Sequence, residues 1–541
     1  MLKRLVRSPV TITLSVTALI LLAAAGLLLA PRARPWLQAE TGEEALTPQL
    51  RGAVHLISSR LRPYPATALD VPVHDTGLGP FGVNTFLQTE VEPDKVEHSL
   101  EMIHAAGFQW IRQEFPWEDL EIHHKGWYVD LRDNEIKNAW TKYDRIVALA
   151  EANQLQIIAR LSTPPHWSRA RGTAAGAFAP PDNLADYCDY VKNVVGRYRG
   201  RLRYFQIWNE PNIYPEWGVY DINPEQYTAL LKVGYTCAKT ANPEALILTA
   251  PLAPTIELTG RDFNDFLFLQ RMYDAGAKAY FDILAVQDYG LWSGASDRRM
   301  RPRVLNFSRP VYVRDIMIRN GDANKAIWAS EVGWNSAPAG VDAPFGRTPE
   351  EARARYAVEA FERIQHEWPW MGVVTYWFFK QADAREAGKP QYYFRLVEPD
   401  FTPTPAFEAL STYIQAALRE PTMYRGYHQE NHWTIAYSPG WTDHHAPDAV
   451  LGGYRKGQTG ASLGFRFEGS ALALIVRPDS AATIETRLDY APPSTITIPG
   501  DVPPGTMPLK VLIAGNLGPG PHIFDLHVTD GALGLDGVLI R

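Results

Sequence analysis

Cysteine is nearly absent from this chain: two in 541 residues, Cys188 and Cys237. Two thiols cannot build a disulfide framework or a cysteine-based metal site. Each lies in a helical pattern, so two buried thiols are the simpler expectation and one disulfide the alternative. Positive charge is not in excess either. Lys and Arg number 53 against 60 Asp and Glu, a formal net charge of −7. No stretch is basic enough to follow a phosphate backbone, which argues against a nucleic-acid partner. One long uncharged apolar run occurs, Val10 to Ala30, with Lys3, Arg4 and Arg7 before it and Arg32 and Arg34 after it. A secretory core is about 7–15 residues and a membrane span about 20, so this run is long enough to cross a bilayer. No small-x-small cleavage site follows it. The expectation is an N-terminal transmembrane helix within residues 1–34, an uncleaved anchor rather than a cleaved signal segment. The charge balance places the N-terminus in the cytoplasm and the bulk of the chain outside.

What is present reads as folded protein: 46% hydrophobic and 21% charged residues. Residues 35–79 look like a polar stalk and lead-in with short helical pieces. From residue 80 the pattern alternates. Short apolar runs at 81–86, 108–115, 155–165, 202–211, 245–254, 281–290, 326–334 and 373–380 are each followed by an amphipathic stretch. Val96, Leu100 and Ile103 share one helical face, as do Trp140, Tyr143, Ile146, Val147 and Ala150. Asn223-Pro224 opens one helix, since Pro fits the first helical position, and Thr348-Pro-Glu-Glu351 reads as a capping box for another. Near-continuous apolar strands joined by helices mean parallel pairing with both sheet faces covered. Eight such units predict an α/β fold, a (β/α)8 TIM barrel over 80–422; a doubly wound open sheet is the alternative.

In a barrel the chemistry sits at the C-terminal ends of the strands. Those ends supply Arg112 and Glu114, then His166 and Trp167, then Asn209 and Glu210. The later strands supply Gln287, Asp288 and Tyr289, then Glu331 and Trp334, then Trp377. Two acids on different strands, with an arginine, a tyrosine and tryptophans around them, point to one site with two carboxylates. Other motifs fail on context. GLGPFG at 77–82 leads into a strand rather than a helix and contains Pro80, so it offers no helix N-terminus to a pyrophosphate. His123-His124 and His444-His445 lack metal-ligand spacing. Asn306-Phe-Ser308 is a glycosylation sequon that matters only in a glycosylating host.

WNEPN after the fourth strand and SEVGW at the seventh resemble the clan of (β/α)8 glycoside hydrolases whose acids lie on strands four and seven. The family 39, β-xylosidase-like group is the nearer resemblance and family 5 the second; STPPHW and the tyrosine of strand six agree with it. The resemblance implies a retaining glycosidase with Glu331 as nucleophile and Glu210 as acid/base. Arg112, His166, Asn209, Tyr289, Trp334 and Trp377 would bind substrate, with Asn209 on the sugar 2-hydroxyl and Trp377 beneath the ring. It implies a carbohydrate substrate, no metal and no organic cofactor. Transglycosylation at the same site and a non-catalytic polysaccharide-binding surface protein are the alternatives, and no protein partner is indicated. Where that clan often has a histidine before the strand-six tyrosine, this chain has Gln287-Asp288. An extra carboxylate there would select a substrate hydroxyl, shift the pH optimum, or pair with Arg112 or another rim residue. Glu114 reads as a supporting residue behind the site.

Past residue 424 long helical faces stop. Short alternating stretches at 462–469, 471–478, 483–490, 509–515 and 522–530 are split by Gly, Pro and Asp. They predict an all-β sandwich over 423–541. Its course resembles galactose-binding-like jelly rolls, for which sugar binding and inert packing on the barrel are both open.

Overall fold

The computed structural model describes residues 33–541 apart from Asn134, Asp479 and residues 501–507. The apolar run at 10–30 lies outside them. Among the described residues no helix is long and apolar enough to cross a membrane.

Eight strands form where the sequence places them: β1 (Phe81–Thr85), β2 (Trp110–Glu114), β3 (Gln156–Leu161), β4 (Tyr204–Ile207), β5 (Leu246–Leu248), β6 (Leu284–Tyr289), β7 (Ile327–Gly333) and β8 (Met371–Tyr376). They are buried almost throughout, as strands covered on both faces must be. All neighbours are parallel, in the order β5-β4-β3-β2-β1-β8-β7-β6. An open doubly wound sheet would leave β5 and β6 as free edges. Here they meet: Leu248 bridges Ile283 and Leu252 bridges Val286, both parallel. The Asp282 N–H donates to the Ile247 carbonyl at 2.9 Å. The sheet is therefore a closed barrel.

Each strand is followed by one covering helix: α1 (Pro93–Ala105), α2 (Trp140–Ala152), α3 (Leu184–Arg197), α4 (Pro224–Ala241), α5 (Asp265–Asp274), α6 (Pro310–Arg319), α7 (Glu350–Glu367) and α8 (Pro405–Arg419). The expected faces are the buried ones; Val96, Leu100 and Ile103 of α1 are in the core. Asn223 caps α4 by accepting from the Gln226 N–H at 2.9 Å. The capping box expected at 348–351 does not form. Pro349 takes the cap position without a side-chain bond, and Glu350 instead accepts from the Ser336 hydroxyl and from Arg353. Cys188 of α3 and Cys237 of α4 are disulfide-bonded, so the alternative to two free thiols is the one realised.

The lead-in is not a stalk. Helices Ala33–Thr41 and Leu46–Arg60 pack on the barrel wall, burying Leu37, Thr41, Gln49, Gly52 and Leu56. After α8 the chain turns to β-structure. The 20-residue strand Pro521–Ile540 belongs to two sheets, pairing with Ser462–Glu468 and Ala482–Leu488 through its first half and with Gly453–Gln458 and Ala471–Arg477 through its second. Gly531 stands at the crossover with φ +73°, where a Cβ would lie 2.1 Å from the Ala481 carbonyl oxygen. Phe465, Leu474, Ile484, Leu526 and Leu535 are among the residues filling the space between the sheets.

Candidate active site

The side-chain alternation of a strand decides which residues reach the barrel interior. On β7, Glu331 points inward. Its Oε1 accepts from Arg112 Nη1 at 2.8 Å and its Oε2 from the Tyr289 hydroxyl. The ion pair is almost dry, with side chains 2% and 5% exposed. Arg112 is held on every side. Its Nη1 also donates to Asn84 Oδ1 at 2.9 Å, its Nε to Gln206 Oε1 at 2.6 Å and its Nη2 to Asn209 Oδ1 at 2.8 Å. Gln206 in turn donates to the Ser330 hydroxyl at 2.8 Å. Strands β1, β2, β4 and β7 thus fix one guanidinium, and it supplies the counter-charge for one carboxylate. Breaking one partner of such a buried pair costs about 3–5 kcal/mol.

Glu210 is delivered differently. β4 ends at Ile207, and the chain leaves it through Trp208 and Glu210, both at positive φ (76° and 35°). Non-glycine residues in that region cost about 1–3 kcal/mol each and persist where surroundings over-determine them. Here the Trp208 indole donates to the Glu216 carbonyl at 3.0 Å, and the Glu210 N–H to the Pro251 carbonyl at 3.1 Å. Asn212 clamps the loop to its neighbour, accepting from the Ala253 N–H and donating to the Ala253 and Phe263 carbonyls. The polar residues of N-E-P-N therefore divide into two site residues, Asn209 and Glu210, and a loop anchor, Asn212. Burial, then the charge of Glu331, then that of Glu216 push the Glu210 carboxyl well above its ordinary range. Gln287 and Arg112 oppose this weakly. Burial, then the charges of Glu331 and Glu210, push the Tyr289 phenol up.

Glu216 is a third acid that the sequence did not single out. Burial raises it to about 7, against the Arg160 charge and a hydrogen bond from Asn209; Glu114 and Glu331 add to the rise. Its only sequence signal was its place six residues beyond Glu210. Gln287, a residue of the β6 end, joins these acids. Its buried amide faces Glu210 and holds that acid's proton affinity down.

Of the other expected residues, Asn209 and Tyr289 join the carboxylates. Trp377 follows β8, half-buried, with its ring edge-on to Phe86. His166 is exposed. With Glu114, Glu118 and Lys142 it lines a cleft of about 540 Å³ between the loops that follow β1, β2 and β3. Trp334 is a correction. It stands one residue past the end of β7 and is 0% exposed. Its indole donates to the Ser293 carbonyl at 2.7 Å, and its ring packs against Phe307 and Tyr356. It has no face for a sugar. Asp288 is turned outward by the alternation of β6 and does not pair with Arg112. It is buried without a hydrogen-bond partner among the described residues, and burial raises its carboxyl well above the usual range, opposed by Arg363. Glu114 bonds Arg160, Ser162 and Thr163. Burial would raise it, but the Arg160 charge and bonds from Arg160, Thr163 and Ser162 carry it below its ordinary value.

The fold and rim together define a (β/α)8 barrel with two acidic side chains of unlike environment at the ends of β4 and β7. No protein-family model and no curated protein matches the chain. Solved structures similar to it include a family 39 glycoside hydrolase from Bacteroides cellulosilyticus, 18% identical over 83% of this chain and 81% of that one, TM-score 0.46. A GH39 β-xylosidase from Caulobacter crescentus is 15% identical over 85% and 100%, TM-score 0.46. GH5_18 from Streptomyces cattleya, solved with GlcNAc, is 18% identical over 66% and 83%, TM-score 0.47.

Proposed function

We propose that the chain is a retaining glycoside hydrolase acting on a poly-, oligo- or glycoconjugate saccharide outside the cytoplasm. The observation that carries this reading is the contrast between two carboxylates at one rim. Glu331 is paired with Arg112 and Tyr289, while Glu210 has its proton affinity raised by burial and by the charge of Glu331. A pair whose environments drive their proton affinities apart is what a general acid beside a nucleophile requires.

In the first step Glu331 attacks the anomeric carbon. The bond to the leaving oxygen breaks as Glu210 gives that oxygen its proton, leaving a glycosyl ester on Glu331. In the second step Glu210 takes a proton from water, whose oxygen attacks the same carbon and releases Glu331. Two inversions give net retention. As Glu331 becomes an ester its charge vanishes, and the largest electrostatic cause of Glu210's raised proton affinity goes with it, so the acid of step one becomes the base of step two. Asn209 would bond the 2-hydroxyl and Trp377 would lie beneath the ring. Gln287, whose amide faces Glu210, would meet a further hydroxyl. The Cys188–Cys237 disulfide supports an oxidising compartment and so export of the barrel.

The test is a 2-fluoro aryl glycoside. The expected result is slow inactivation with the sugar attached to Glu331, and anomeric retention by NMR with the ordinary aryl glycoside. An adduct on another residue, or product of inverted configuration, sinks the assignment. Full aryl-glycoside turnover by both Glu210→Gln and Glu331→Gln removes the pair from catalysis altogether.

A further inference from the structure

The outer faces of the barrel helices are solvated, but one helix outside the barrel is built the other way round. On Leu46–Arg60 and the residue after it, Leu50, Val54, Ile57 and Leu61 fall at intervals of four, three and four, which is one helical stripe. The opposite stripe, Gln49, Gly52 and Leu56, is the buried one. Val54 is 47% exposed, Ile57 64% and Leu61 83%. Trp36 on the paired helix and Tyr64 just beyond it are 46% and 67% exposed. Arg51, Arg60 and Arg62 are exposed in the same segment. Its acids are largely engaged: Glu43 with Arg299, Glu44 with Arg355, and Glu40 at 4.0 Å from Arg60.

We propose that this stripe docks on a lipid bilayer surface carrying anionic headgroups. Aliphatic side chains along one face, aromatic side chains that are apolar with a polar tip, and arginines whose stems lie along the apolar surface while their heads meet phosphate make up an interfacial helix. A second copy of the chain is a poorer occupant, because pairing like stripes brings Arg51, Arg60 and Arg62 of the two copies into one patch. Sequence continuity favours the bilayer too. The uncharged run Val10–Ala30 ends two residues before the first helix begins, so a membrane holding that run keeps the stripe at high effective concentration beside its surface.

The helix pair is fixed to the barrel. The Gly294 N–H donates to the Gly42 carbonyl at 2.7 Å, Arg299 pairs with Glu43 at 2.9 Å, and Arg314 donates to the Thr67 carbonyl at 3.2 Å. Gly294 and Arg299 belong to the loop that follows β6, whose last residue is Tyr289 of the site. Docking therefore sets the orientation of the barrel relative to the bilayer, and the barrel does not swing on a flexible stalk.

The full chain carries Val54→Cys, Ile57→Cys or, as a control on the sandwich, Tyr490→Cys, each labelled with a polarity-sensitive fluorophore. The native cysteines are occupied by their disulfide. Each is reconstituted into phosphatidylcholine–phosphatidylglycerol vesicles with brominated acyl chains. Labels at 54 and 57 are expected to shift to shorter wavelength and to be quenched several-fold more than the label at 490, and Ile57→Glu should abolish the quenching at 54. Water-like emission at 54 and 57 overturns the proposal. So does quenching unchanged by Ile57→Glu, which would assign the effect to residues 1–32 alone, and so does efficient Ile57→Cys cross-linking between copies in the vesicles.

Discussion

The end of β7 and the loop after β4 each bring one glutamate to the same rim and share little else. Glu331 stands within a regular strand, with a buried arginine and a phenol against its oxygens. Glu210 stands beyond its strand on left-handed backbone, close to Gln287 and two other carboxylates. One residue type thus has opposite electrostatic tasks, and the difference comes from where the backbone puts the side chain relative to Arg112.

Removing either half of that contrast should abolish turnover to different degrees. Glu331→Gln loses the nucleophile, and aryl-glycoside turnover is expected to fall on the order of 10⁴-fold or more. Glu210→Gln should lower kcat about 10²–10⁴-fold on substrates with poor leaving groups and far less with a dinitrophenyl glycoside, which needs no proton. It should also erase the alkaline limb of the pH–rate profile. The sign follows from the raised proton affinity: the acid form works, so wild-type activity declines as pH rises through the Glu210 value. Arg112→Lys keeps the charge but not the four-way grip; a loss of about 10²-fold in kcat/KM is expected.

Glu216→Gln sharpens the comparison without breaking it. The Glu216 charge raises Glu210, so its removal should move the alkaline limb to lower pH and leave the acid limb in place; an unmoved limb would show that Glu216 has no hold on the acid. Trp334→Phe is the smallest change. Steady-state constants should stay within about twofold on the grounds that it touches only the core, while thermal unfolding shows a loss of about 1–3 kcal/mol. Trp377→Ala, by contrast, should raise KM.

The eight strands, their order of function and the two acids were readable because parallel strands are apolar runs and a barrel places its chemistry at their ends. Arg112, Asn209 and Tyr289 were readable for the same reason. Trp334 was not, since past the end of β7 its direction is set by Ser293, Phe307 and Tyr356, which are distant in sequence. Glu216 and the clamp formed by Asn212 were hidden in a loop, whose path depends on partners such as Trp208, Ala253 and Phe263. The lead-in helices read as a stalk because their inner stripe is thin and partly polar. Gln49 is buried by hydrogen bonds to the Glu43 and Glu44 carbonyls, a partnership no hydrophobic pattern announces.

By itself the amino-acid order determined the barrel, the sandwich and the strand ends that bear acids, because periodicity and turn chemistry are local. Only the tertiary structure decided that Glu216 stands near Glu210, which side chains grip Arg112 beside Glu331, and which tryptophan is core. Those outcomes depend on charges and faces contributed by strands far apart in the chain, brought within a few ångströms only when the sheet closes on itself.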